Sequence, residues 1–137
     1  MEVKNKIRRY RWHRILFCLA GAYNILWGIY AAYDPQWLFR FSGMPLTSNP
    51  EIFACLGMVI GLYGLLYFEV ARVPENGWTI ATVGLLGKLL GPIGAIWLIM
   101  QGKWPATAFV LCLTNDIIWW LPFGLYLYDS WKLKRKN

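Results

Sequence analysis

Charge is the first thing this chain lacks. Only 15% of its 137 residues are Asp, Glu, Lys or Arg, while 58% are hydrophobic and 18% aromatic. A soluble domain carries about 25% charged residues to cover its surface, so the composition argues against a water-soluble globule. Histidine occurs once, at His13, and Cys18, Cys55 and Cys112 are isolated, with no CxxC pair. These shortages exclude a disulfide framework and any His-rich di-iron, bis-histidine haem or zinc centre built from one chain. Neither a Ser-His-Asp arrangement nor a phosphate-cradling glycine loop is present. No metal or other cofactor is expected.

What the chain has instead is four apolar stretches, near residues 12–33, 50–72, 78–100 and 105–128. Each reaches the roughly 20 residues needed to cross a bilayer. In hydrocarbon every backbone amide must be paired internally, so such stretches read as helices. The fold class is all-α: a single integral-membrane four-helix bundle covering residues 1–137. The first run outlasts a signal-peptide core and ends in bulky Tyr30 and Tyr33, so it is expected to stay in the mature protein.

The net charge of +7 is uneven along the chain. Lys4, Lys6, Arg8, Arg9, Arg11 and Arg14 precede the first span, Arg72 lies between the second and third, and Lys132, Lys134, Arg135 and Lys136 follow the last. The other side holds only Arg40 and Lys103. Positive charge stays inside, which predicts both termini in the cytoplasm. Because the excess flanks membrane spans, membrane lipids rather than nucleic acid are the expected partner. His13, among arginines at the interface, is expected to meet headgroups.

The connections are short. After Asp34-Pro35, residues 36–41 predict a short helix carrying Trp37, Leu38, Phe39 and Phe41, either in the outer interface or as a lid over the bundle. Asn49, Pro50 and Glu51 mark a helix start with Asn49 as candidate N-cap. Pro74-Glu75-Asn76-Gly77 and Gly102-Lys103-Trp104-Pro105 are tight turns, which makes the second, third and fourth spans successive antiparallel neighbours. The first two spans share Gly21…Trp27-Gly28 and Gly57…Tyr63-Gly64, too common a pattern to establish a repeat.

The chemistry lies in polar residues at mid-membrane. Lys88 is ten residues into the third span, about 15 Å deep at 1.5 Å per residue. Asp116 is about as deep in the fourth, and antiparallel neighbours bring the two to one level, which makes Lys88 and Asp116 natural partners. A charge at the bilayer centre costs about 2.5–3.5 kcal/mol on insertion scales, so a partner or a wet cavity is expected there. Around Lys88, Ala81, Gly84, Gly91, Pro92 and Ala95 form a face nearly without side-chain volume, fit for close packing or for leaving room for a ligand. Pro92 cannot donate to the carbonyl of Lys88, nor Pro122 to that of Ile118. Asn115 adjoins Asp116, with the indoles of Trp119 and Trp120 a turn later, one read as packing and the other as part of a pocket. Asn24 and Tyr63 bring polar groups to the same depth from the first two spans. Asp116 and Lys88 are thus the candidate catalytic pair, with Asn24, Tyr63, Asn115, Trp119 and Trp120 as candidate ligand contacts. Glu69 pairs locally with Arg72 at i,i+3 or, alternatively, acts as a gate or proton entry.

The stretches Gly84-Leu85-Leu86-Gly87-Lys88-Leu89-Leu90-Gly91-Pro92-Ile93-Gly94 and Asn115-Asp116-Ile117-Ile118-Trp119-Trp120-Leu121-Pro122-Phe123 resemble the hallmark segments of a family of small bacterial four-helix membrane proteins. The overall plan is similar to DoxX-like membrane proteins. The resemblance implies a bacterial inner-membrane location and a four-helix bundle; it implies no reaction. Three functions remain open. The first is a site binding or transforming a lipid-soluble small molecule, such as a quinone, an isoprenoid or a fatty acyl derivative. The second is an accessory subunit docking another membrane protein, and the third a small proton-coupled transporter working as a homo-oligomer.

Overall fold

The computed structural model describes residues 2–135, with side chains described for 11–133 and 135. The side chains of Lys4, Lys6, Arg8, Arg9, Lys134 and Lys136, which enter the charge asymmetry, lie outside the described part. The element order is α1 (Glu2–Tyr33), α2 (Trp37–Ser42), α3 (Pro50–Arg72) and α4 (Trp78–Met100). A composite fourth helix follows: a 3-10 turn (Ala106–Ala108), α5 (Phe109–Cys112), a π-helical turn (Leu113–Ile117) and α6 (Ile118–Lys134). No strand occurs among the described residues.

Four helical stretches are long and apolar enough to cross a bilayer: Arg11–Tyr33, Pro50–Arg72, Trp78–Met100 and Ala106–Leu133. The last runs beyond residue 128. There the cationic ends of basic residues lie over aromatic faces, with Lys132 Nζ 5.7 Å from the Tyr128 ring and the Arg135 guanidinium 4.8 Å from that of Trp131, contacts that favour continuing the helix. The outer surface is apolar, with Leu26 68%, Ile52 70%, Leu121 71% and Met100 78% exposed. Water would penalise such faces and lipid does not. The molecule is a transmembrane helical bundle.

The closest helix pair is α1 with α3. A Cβ on Gly28 would lie 2.6 Å from the Gly57 carbonyl oxygen, and one on Gly21 2.8 Å from that of Gly64. Backbone meets backbone, as small residues permit in membranes. The pattern shared by the first two spans is therefore two complementary halves of one antiparallel seam.

The hydrophobic core occupies the half of the bundle nearest the termini. Phe17 of α1, Tyr67 and Val70 of α3, Ala81 of α4, and Trp119, Phe123 and Tyr126 of α6 form its centre. His13 belongs to this region and not to the headgroup layer. It is 3% exposed, its Nε2 lies 3.3 Å from Asp129 Oδ2, and its ring sits edge-on to Tyr126 at 5.0 Å. Tyr126 and Asp129 are one turn apart on α6 and together cover the imidazole, which a position beside arginines did not suggest. The Tyr126 hydroxyl donates to the carbonyl of Pro74, so α1, α6 and the turn at residues 73–77 meet at this terminal end.

At the far end, α2 stops at Gly43, whose φ of 69° is a left-handed conformation that glycine adopts without strain. Trp37 packs on Tyr30 at 5.2 Å and on Trp27 at 6.4 Å, and Phe39 on Phe53 at 5.3 Å. Gln36 exchanges two hydrogen bonds with the backbone of Thr47, and the Thr107 hydroxyl donates to the Ser42 carbonyl at 2.6 Å. The short helix thus caps the ends of α1 and α3 and is tied to the start of the fourth helix. Asn49 precedes α3 as expected, but its amide donates to Ser48 Oγ and makes no capping bond; Pro50 at the first helical position defines the start.

Candidate functional site

Lys88 sits at the middle of α4 and is 6% exposed. Its Nζ donates to the backbone carbonyl of Asn115 at 2.8 Å and lies 5.6 Å from the ring centroid of Trp119. That carbonyl is available because Asn115 falls in the π-helical turn at Leu113–Ile117, where the regular ladder is interrupted. The neighbouring carbonyl of Thr114 is likewise taken by a side chain, the Trp119 indole N–H at 3.2 Å. Lys88 and Asp116 make no direct ion pair within 4.0 Å. The lysine is held by a main-chain dipole and an indole face, and both charged groups border the same space.

Asp116, 8% exposed, accepts a hydrogen bond from the Asn115 side-chain amide at 3.3 Å through Oδ1. Its Oδ2 faces Gly91, where an added Cβ would come within 3.0 Å. The small face of α4 is thus partly filled by the carboxylate of Asp116 and partly by Tyr67, whose ring would be 2.9 Å from a Cβ at Gly84. The carbonyl of Lys88, left without its helical donor by Pro92, accepts the indole N–H of Trp120 at 2.9 Å. This bond ties α6 to α4 at the depth of the site.

These residues line a cavity of about 370 Å³ bordered by α1, α3, α4 and the π-helical turn. Of the sequence-predicted site residues, Asn24, Tyr63, Lys88, Asn115 and Asp116 line it together. The Asn24 amide donates to the Ile60 carbonyl at 3.3 Å, which fixes α1 to α3 beside the space. Trp119 and Trp120 stand behind it, one against Lys88 Nζ and one on the Lys88 carbonyl. Glu69 is not brought to this cavity; its carboxylate forms a two-pronged pair with Arg72, at 2.6 and 2.7 Å, toward the terminal end of α3.

Compared with known proteins, the chain matches no family model, no curated protein and no solved structure. Its chemistry must therefore be read from the cavity itself.

Two features of that cavity escaped the sequence reading. Tyr67, one turn from Tyr63 on the same face of α3, reaches the cavity from the core and is only 2% exposed. The i,i+4 spacing of the two tyrosines was the available signal. Leu56, Val59 and Val83 line the side of the cavity between α3 and α4 and are 50%, 51% and 44% exposed. The space therefore opens laterally through an apolar mouth, while Lys88, Asn115, Asp116 and Tyr67 make its inner wall polar. Among the described residues no group of three His, Cys, Asp or Glu side chains converges on a metal position.

Proposed function

We propose that the chain binds a lipid-soluble small molecule in the cavity between α3 and α4, entering from the bilayer with its polar head toward Lys88 and Asp116. The observation that carries this reading is the division of the cavity. Its exposed mouth is formed by Leu56, Val59 and Val83, and its buried wall by an ammonium, a carboxylate, a carboxamide and a phenol. Pockets for small molecules combine apolar walls with a few convergent polar groups, and volumes of about 300–1,000 Å³ are usual. Buried charges at mid-bilayer are costly to keep, which favours a role for them beyond packing. Asp116 is positioned to exchange a proton with the head and Lys88 to stabilise negative charge on it, should the bound molecule be transformed.

The same reading includes the setting. The basic flanks favour insertion with both termini in the cytoplasm, and the aromatic α2 then lies at the outer interface. The motif resemblance favours a bacterial inner membrane. An accessory role through the small face of α4 is less favoured, because Tyr67 and Asp116 already occupy the positions opposite Gly84 and Gly91. A gate at Glu69 has less support still, since its carboxylate is committed to Arg72.

Native mass spectrometry of the purified protein, with analysis of the extracted lipid, tests the proposal. A stoichiometric hydrophobic molecule lost in Asp116→Asn, while the helical fold persists, is the expected result. A folded Asp116→Asn protein that retains everything the wild type carries would remove the carboxylate from any site.

A further inference from the structure

The hydrogen-bonding inventory of the cavity restricts what head it can take. A lysine ammonium has three N–H donors, and Lys88 commits one to the Asn115 carbonyl. Asp116 receives the Asn115 amide on Oδ1, while Oδ2 faces Gly91 without a donor. Tyr67 is 2% exposed, is wedged against Phe17 at 6.0 Å and Phe123 at 5.2 Å, and places its hydroxyl beside Gly84 with no hydrogen-bond partner among the described residues. The ring is buried but the hydroxyl oxygen is open to the cavity, and a donor held away from water without an acceptor is costly. Held by a packed core and bordering the cavity, it is a donor waiting for an acceptor that the bundle does not supply.

The charge balance is equally restrictive. The cavity lining contains one basic and one acidic side chain, Lys88 and Asp116, so its formal charge sums to zero, and passing a proton between them leaves the sum unchanged. A carboxylate or phosphate head would add a negative charge with nothing to offset it, and an ammonium head a positive one. In surroundings of low dielectric an uncompensated charge is strongly disfavoured. A hydroxyl head meets every requirement at once: it donates to Asp116 Oδ2 and accepts from Tyr67 or from a remaining Lys88 N–H.

Resting on the binding function proposed above, we infer that the cavity selects an amphiphile with an uncharged, hydroxyl-bearing head, a long-chain or polyprenyl-type alcohol, over acids and amines of equal chain length. The test uses the intact 137-residue chain in detergent. Dodecanol, dodecanoate and dodecylammonium compete at equal concentration, and occupancy is read by native mass spectrometry. Dodecanol is expected to exceed each charged probe by roughly tenfold or more, a difference of about 1.4 kcal/mol. Tyr67→Phe keeps the ring that the core packs against and is expected to lower dodecanol occupancy roughly threefold to tenfold. Asp116→Asn leaves the lining with one net positive charge and is expected to shift preference toward dodecanoate. Lys88→Gln is expected to shift it toward dodecylammonium.

Equal binding of the three probes by the wild type, or probe ratios that neither charge variant moves, would overturn the selection for a neutral head. Should all probes bind equally and all be displaced by filling the cavity at Gly87, the binding site stands and only its head-group class falls. If no probe binds at all, both proposals fall together.

Discussion

Gly87 offers a clean way to separate a binding site from a scaffold. It lines the cavity, yet a Cβ built on it meets no atom within 4 Å. Gly87→Leu therefore adds a side chain into open space, unlike Gly84→Leu, which would strike the Tyr67 ring. Within a helix interior, replacing glycine by a good helix former stabilises by about 0.5–1 kcal/mol. The variant should then melt at or slightly above the wild-type temperature. For the ligand the effect is opposite. Apolar burial contributes little to transfer from lipid into a membrane cavity, because lipid tails are as apolar as the walls. Affinity must come mainly from the polar head, and a leucine in the cavity keeps that head from Lys88 and Asp116. Losing one hydrogen bond to a charged group costs about 1.5–3 kcal/mol, equivalent to roughly ten- to hundred-fold weaker retention. Thermal melting in detergent and native mass spectrometry of co-purified lipid measure both quantities on one preparation. A Gly87→Leu protein that melts normally and keeps its ligand in full would refute the cavity as the site. One that fails to fold would refute the claim that the space beside Gly87 is open.

Trp120→Phe removes the donor to the Lys88 carbonyl and should lower stability by about 1–3 kcal/mol, seen as a reduced melting temperature; no change would mean that another donor replaces the indole. Gly28→Ala places a methyl against the backbone of Gly57 and Gly61 and should cost about 1–3 kcal/mol, whereas a neutral result would argue against the α1–α3 seam. In a double-mutant cycle, Lys88→Met and Asp116→Asn should show a measurable coupling that stays below the about 4 kcal/mol unit charges would exchange at 4 Å and an effective dielectric of 20; strictly additive losses would show that the charges do not sense each other. Cysteines introduced at Ser48 and after residue 135 should react with an impermeant thiol reagent from opposite sides of the membrane, and labelling from one side would break the four-span topology.

Composition and hydropathy alone determined that the chain is helical and has four apolar segments of membrane-spanning length, because hydrocarbon admits few other ways of pairing the backbone. Depth along the helices was enough to bring Lys88, Asn115, Asp116, Asn24 and Tyr63 to one level, since rise per residue is nearly constant. Which groups actually meet was a tertiary matter. The π-helical turn presents the Asn115 carbonyl to Lys88 in place of the Asp116 carboxylate, and no residue spacing announces such a turn. The rotation of α1 about its axis buried His13 against Asp129, although its basic neighbours pointed to the headgroups. Trp119 and Trp120 were expected to divide between packing and pocket, yet each is spent on Lys88, one on its ammonium and one on its carbonyl. Tyr67 joined the site only because Gly84 leaves it room across the helix interface. Periodicity along one helix specifies depth and face, but the partner on that face depends on how four helices turn toward one another, and that was decided by packing.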